Sequence, residues 1–335
     1  MADIARRAGV SKVAVSYALN GQNGVSDATR QRILAIAEEI GWNPNSAARA
    51  LSGAPTHTIG MALRRPARTL GAEPFFMELI SGVEAELTSH SYALTLQVVA
   101  DQDAEIAVYK RWWSERRVDG ILVCDLRMDD PRIPALEELG LAAVVIGAGQ
   151  GSGALPSVWS SDASAIEEAV EYLATLGHRS IARVSGMPDL LHTAVRSEAF
   201  EAVCRRLDLE PAVTVPTDYS GEDSARATRR LLMTRNRPTA ILYDNDVMAI
   251  AGLAVAGEMG FSVPEDLSII AWDDSVLSQL VRPALTAMSR DIPAYGGHAA
   301  RMLLDIVNGR PAESMEDEPA HLIPRGSTAR PKARQ

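Results

Sequence analysis

The residues with the clearest chemical promise lie between Ala8 and Leu19. Gly9, Val10 and Ser11 read as a tight turn ending in a serine that can cap a helix, and Val15, Ala18 and Leu19 then recur at helical spacing. Ahead of the turn, Ile4, Ala5 and Ala8 mark a shorter helix with its own apolar side. Two short helices joined by a glycine turn form a helix-turn-helix, whose second helix can enter a DNA major groove. The bland alternative is any small helical pair.

Other chemistry is poorly supplied. Gly147, Gly149, Gly151 and Gly153 follow a predicted strand in the manner of a dinucleotide-binding loop. The third glycine of that motif is replaced by Ser152, and Pro156 interrupts the helix that should follow. A crossover loop is the better reading. No nucleophile elbow and no phosphate-binding loop occurs, so an enzyme is not expected. Cys124 and Cys204 are far apart and outside any C-x-x-C pattern, and the six histidines show no ligand spacing. Buried free thiols, no metal and no cofactor are expected.

The elements that must position any site are legible next. The 335 residues call for two or three domains, and 47% hydrophobic residues supply ample core. No apolar run has the length of a membrane span, and Met1 leads into a charged helix instead of a signal peptide, so a cytoplasmic protein is expected. The net charge is −10, yet residues 1–50 hold six Arg and Lys against four Asp and Glu, a basic head on an acidic body. Ser26 caps a third helix over Asp27 to Glu39, whose Ile33, Leu34, Ile36, Ala37 and Ile40 wall a small core. From Asn43 and Pro44 to Gly53 runs an alanine-rich segment of helical type, too short to be stable alone; an ordinary linker is the alternative.

From Thr58 onward strands and helices alternate. Strands are predicted at Thr58–Leu63, Ala93–Val99, Gly120–Val123 and Ala142–Ile146, then in a second series at Val158–Ser160, Ser180–Ser185, Val213–Pro216, Ala240–Tyr243 and Leu267–Trp272. The alternation implies β-α-β units on parallel sheets, and two series imply two lobes with a cleft between them.

Taken together, these segments resemble the LacI family of ligand-responsive regulators over nearly the whole chain. The DNA-binding end is matched by Asp3-Ile4-Ala5, Ala8 to Ser11, Val15-Ser16, Leu19-Asn20, Val25-Ser26, Thr29-Arg30 and Asn43 through Leu51. The core is matched by Val118 to Ile121, Leu176 to Ile181, Arg196, Asn245-Asp246, Val263 to Asp266, Trp272 to Asp274, Pro283 to Thr286 and Arg325 to Thr328. The resemblance implies an α/β protein: an all-α helix-turn-helix N-terminal domain plus a two-lobed periplasmic-binding-protein-like core with parallel sheets. It divides the chain into a DNA-binding domain (1–43), a hinge helix and linker (44–57) and a core (58–335). Lobe 1 is about 58–158 and 290–321; lobe 2 is about 159–289 and 322–330. Three crossings between lobes are implied, together with a homodimer on pseudo-palindromic operator DNA and a small-molecule effector, a sugar or nucleoside.

The resemblance places DNA contacts at Ser11, Lys12, Val13, Ser16, Tyr17, Asn20, Arg30, Asn45, Ala48 and Leu51. Lys12 can donate to guanine, Val13 can touch a thymine methyl, and Leu51 can wedge into the minor groove. Ala14 and Tyr17 stand where a threonine and an arginine are usual. Effector contacts are placed at Arg196, Asn245 and Asp273, with Phe75, Phe76, Trp159, Tyr219 and Trp272 as faces for stacking on a ring. Asp162 and Asp246 are expected to serve strand ends and helix caps. The expected function is a repressor released from its operator by a sugar-like effector. The rivals are a transport-type sugar-binding protein and a DNA-binding protein without an effector.

Overall fold

The computed structural model describes residues 1–19, 22–42, 55–65 and 70–332. The chain separates into two units, Met1–Thr56 and His57–Gln335. In the first, α1 (Ala2–Ala8), α2 (Lys12–Leu19) and α3 (Asp27–Glu39) bury Ile4, Ala5, Ala8, Val15, Ala18, Ile33 and Ala37 against one another. Leu34 departs from the expected core wall and is exposed, because the 3.6-residue repeat turns it away from Ile33 and Ala37.

The second unit holds two six-stranded sheets. The first contains β1 (Thr58–Leu63), β2 (Ala93–Val98), β3 (Gly120–Val123), β4 (Ala142–Ile146), β5 (Ser157–Ser160) and β11 (Met315–Asp317), in the order β11-β5-β4-β3-β1-β2 and parallel throughout. The second contains β6 (Ile181–Ser185), β7 (Val213–Pro216), β8 (Ala240–Tyr243), β9 (Ser268–Trp272), β10 (Thr286–Ser289) and β12 (His321–Ile323). Its order is β12-β10-β9-β8-β6-β7, with only β12 antiparallel. The strand at 158–160, expected to open the second series, therefore pairs within the first sheet: Ile146 is in register with Val158.

Both faces of each sheet are covered. Ile59, Met61 and Leu63 point toward α4 (Pro74–Ser89) and α12 (Ile292–Val307), whereas Ala62, Ile121 and Val123 join α5 (Gln102–Ser114) and α6 (Arg132–Leu139) on the other side. In the second lobe, α7 (Asp162–Leu176) and α8 (Leu191–Arg206) cover one face, and α9 (Gly221–Leu232) and α10 (Asp246–Glu258) the other. Burial on both faces explains why these strands read as continuous apolar runs.

The chain crosses between lobes after β5, after β10 and between β11 and β12. The short helix α11 (Val276–Leu280), β10, α12, β11 and β12 were not predicted. In α12, Gly296 and Gly297 weaken the helical signal, and their reason is tertiary. A Cβ on Gly296 would sit 2.4 Å from the Leu79 carbonyl oxygen, and one on Gly82 would sit 1.8 Å from that of Pro293. The backbones of α4 and α12 touch there, and nothing larger than hydrogen fits. Gly82→Ala should therefore lower stability by roughly 1–3 kcal/mol or more, seen as a drop in thermal midpoint. An unchanged midpoint would mean the two helices can part without cost.

Candidate functional site

In the first unit the turn between helices is built as its residues suggest. Gly9 adopts φ 64°, a left-handed geometry that closes α1 with its amide donating to the Ala5 carbonyl. The Ser11 hydroxyl accepts from the Ala14 amide at 3.1 Å, so it caps α2. Lys12 and Val13 follow on the exposed surface. Tyr17 is only 38% exposed, and its ring lies against Gly24, where a Cβ would come within 2.8 Å of the ring. Arg30 donates to the Gln22 carbonyl at 2.7 Å, which ties the guanidinium to the loop after α2. Ser16 is half-buried on α2. Asn20, Asn45, Ala48 and Leu51 lie outside the described residues.

In the second unit the strand ends of both sheets converge on a cleft, as open parallel sheets require. The cavity there is about 690 Å³, part of it open solvent. Of the expected effector residues, Phe75, Phe76, Arg196, Tyr219, Asn245 and Asp273 line it. Trp272 does not. Its indole is buried in the second lobe and stacks beneath the Arg196 guanidinium at 3.8 Å, which makes it a support for that arginine. Trp159 opens instead onto a neighbouring groove.

Two of the arginines that line the cleft are held by carboxylates. Arg196 donates to Asp162 at 3.0 and 3.3 Å, and Arg65 meets Asp125 at 3.1 Å. Behind them Arg183 donates to both oxygens of Asp244 at 2.7 and 2.6 Å, with both side chains fully buried. Asp162 is thus a cavity residue, and the helix cap expected of it belongs to Ser161. Asp246 sits in the first turn of α10, where it accepts from the Ser275 hydroxyl, and Asn245 is the cap. Capping uses the Asn245 oxygen, which accepts from the Met248 amide at 2.7 Å, while its amide nitrogen donates across the cleft to Glu73 at 2.9 Å. The Tyr219 hydroxyl is met by His192 and Thr193 at 2.8 and 3.0 Å.

Arg65, Glu73, Asp125, Asp162, His192 and Arg290 also line the cavity and were not anticipated as contacts. Arg65, Asp125 and Arg290 follow β1, β3 and β10 directly. Their position beyond the carboxyl end of a parallel strand was the available signal. Arg290 is different in kind: its hydrogen bond goes to the Ser160 hydroxyl at 3.1 Å, and its Nε has no partner among the described residues. Nε and one terminal nitrogen of Arg65 and one oxygen of Glu73 also lack a hydrogen bond, although that Nε and that oxygen form an ion pair at 4.0 Å. No side chain or amide among the described residues donates to Asp273. Cys124 and Cys204 are buried thiols, as expected.

Burial pushes the Glu73 carboxyl up to about 7, against the opposing pull of Arg65 and the Asn245 hydrogen bond. Burial likewise raises Asp273 to about 6, opposed by Arg290 and Arg196. Both carboxyls sit near neutrality in a cavity that offers donors and acceptors together, which suits a ligand bearing several hydroxyls. The Glu73 shift has a sign. As pH rises from about 4.5 to about 7, the unfolded chain releases this proton first and the folded chain retains it, so folding loses stability across that window. Glu73→Gln should gain thermal midpoint over the parent at pH 8 and gain less, or lose, at pH 5. Equal differences at both pH values would show that Glu73 does not titrate in this window.

Comparison with known proteins agrees with this geometry. Residues 1–45 match the model of bacterial regulatory proteins of the lacI family, and 170–328 match a periplasmic binding protein-like domain. The transcriptional repressor PurR of Erwinia tasmaniensis is 31% identical over 320 residues, 94% of this chain and 92% of that protein. A crystal structure of a LacI family transcriptional regulator from Bifidobacterium animalis is 37% identical with TM-score 0.77, covering 84% of this chain and all of that one. The regulator CelR in complex with cellobiose is 26% identical with TM-score 0.75, covering 97% and 98%. With the helix-turn-helix unit, the two parallel-sheet lobes and relatives of this similarity along its length, the chain belongs to the LacI family of DNA-binding transcription regulators, which are not enzymes.

Proposed function

We propose that this regulator is a cytoplasmic repressor that leaves its operator when a small sugar-like effector fills the cleft. One observation carries the reading: the charged side chains that line the cavity come from both sides, with Glu73 and Arg65 in the first lobe, Arg196 and Asp273 in the second, and Arg290 at the crossing. A ligand touching all of them stabilises one arrangement of the lobes over others, which is what a switch requires. The repressor name of PurR and the cellobiose bound to CelR support the same reading. In it, residues 1–43 bind DNA, 44–57 form the hinge and linker, and 58–335 bind effector. Lys12 and Val13 read bases, Ser16 and Arg30 face phosphates, and the capping role of Ser11 keeps the start of α2 in place.

The test is a titration of the full chain against operator DNA selected from random duplexes, with and without a panel of sugars and nucleosides. One compound should weaken operator binding at least tenfold, and Arg196→Met should lose that response while still binding DNA, because Asp162 is left unpaired in the cleft. Operator affinity indifferent to every compound would favour a DNA-binding protein without an effector.

We also propose a homodimer. Edge strand β2 exposes Leu96 and Val98, α4 exposes Met77, and α11 exposes Val276 and Leu280, each 66% exposed. Apolar residues on a sheet edge and on a helix invite a second copy of the chain. Leu280→Asp should shift the sedimenting species toward monomer with an unchanged circular dichroism spectrum. A variant sedimenting like the parent would remove α11 from the interface.

A further inference from the structure

We infer that the effector is an extended glycan, a disaccharide or longer, whose first ring fills the inner cavity and whose second ring stacks on Trp159. The inference rests on the sugar reading above and adds a second subsite to it. Beside the inner cavity runs a groove of about 1080 Å³, part of it open solvent, lined by Trp159, Gln150, Val195 and Glu198. The two spaces adjoin, since Gly147, Ser160, Asp162 and His192 line both. Helix α8 serves both: His192 and Arg196 face the inner cavity, and Val195 and Glu198 border the groove.

The junction is kept clear by Gly147. Its φ of 91° disfavours any larger residue, and the nearest atom to a Cβ there would be the Tyr295 hydroxyl at 4.0 Å. The indole beyond it is fixed in place. A Cβ on Gly149 would lie 3.0 to 3.2 Å from the Nε1, Cδ1 and Cε2 atoms of Trp159, so the glycine backbone lies directly against the ring. Strand β5, paired with β11 through Trp159 and Glu316, anchors the other end of the side chain. Trp159 shares the groove with polar Gln150 and Glu198, so a pyranose laid with its C–H face on the indole would find an amide and a carboxylate in the same groove for its equatorial hydroxyls. The residue that a single-ring site leaves unexplained thereby acquires a role. A ring linked to a monosaccharide in the inner cavity would pass Gly147 and meet this face.

Calorimetric titration of the full chain tests this, using glucose, galactose, mannose and xylose beside cellobiose, maltose, lactose and xylobiose. At least one disaccharide should bind about five- to tenfold tighter than its component monosaccharide. Trp159→Ala should abolish that difference, and Trp159→Leu, which keeps bulk without a flat face, should do the same with an intact thermal midpoint. If sugars bind but none of the disaccharides binds tighter than its monosaccharide, or if a Trp159 variant weakens both alike, the second subsite is overturned and the sugar reading stands. If no sugar binds, the sugar reading falls and the subsite falls with it.

Discussion

Charge buried at the floor of the cleft is the constraint on which the rest of the second unit depends. A guanidinium or carboxylate removed from water is tolerated only when paired, and breaking such a pair costs about 3–5 kcal/mol. Arg183 with Asp244, Arg196 with Asp162 and Arg65 with Asp125 each meet that demand. Asp244 also accepts from the Gly186 amide at 3.0 Å, so the pair is tied to the end of β6. Three arginines are thus immobilised before any ligand arrives. The Arg290 Nε and one Glu73 oxygen make no hydrogen bond within the protein, and these are what a ligand can use.

The same geometry makes the cleft a place where the lobes inform each other. Glu73 of the first lobe reaches Asn245 of the second, and the Arg65 guanidinium lies between the rings of Phe76 and Tyr219, at 5.3 and 4.9 Å. On a neighbouring flank, Arg127 pairs with Asp189, and the Leu191 amide donates to the Leu126 carbonyl at 2.8 Å. These contacts are largely polar, although Leu191 also packs against the apolar cluster that holds Leu126. Among the described residues they hold the lobes together chiefly through polar groups, which suits lobes that move relative to each other.

The motifs that carry the resemblance turn out to do different work. His178 joins Thr239 and Ser268 to the Ala329 carbonyl, and Ser327 bridges the Thr286 amide and the Ile269 carbonyl, so these two segments lace the tail onto the second sheet. Arg325 pairs with Asp274 at 2.6 Å for the same end. Arg196, Asn245 and Asp273, by contrast, face the cleft. In the first unit Gly9 and Ser11 shape the turn, and Lys12 and Val13 are left outward. One string of matched residues therefore mixes those that hold the fold with those that face solvent and ligand.

Periodicity alone specified most of the elements of the second unit, because β1, β3, β4 and β8 are apolar runs bounded by polar turns and their bounds follow from composition. The three helices described in the first unit were equally legible from their apolar spacing, with serine caps ahead of α2 and α3. What periodicity could not supply was partnership across distance. The placement of Ser157–Ser160 in the first sheet depends on pairing with β4 and β11. Helix α12, with its adjacent glycines, exists because its backbone packs directly on α4. Trp272 and Trp159 are alike as residue types, yet one supports Arg196 from below and the other faces an open groove. The sequence by itself determined which residues could bind, since side-chain chemistry is local. Only the tertiary structure decided which of them are already spent on one another, since burial and pairing arise from segments brought together across more than a hundred residues.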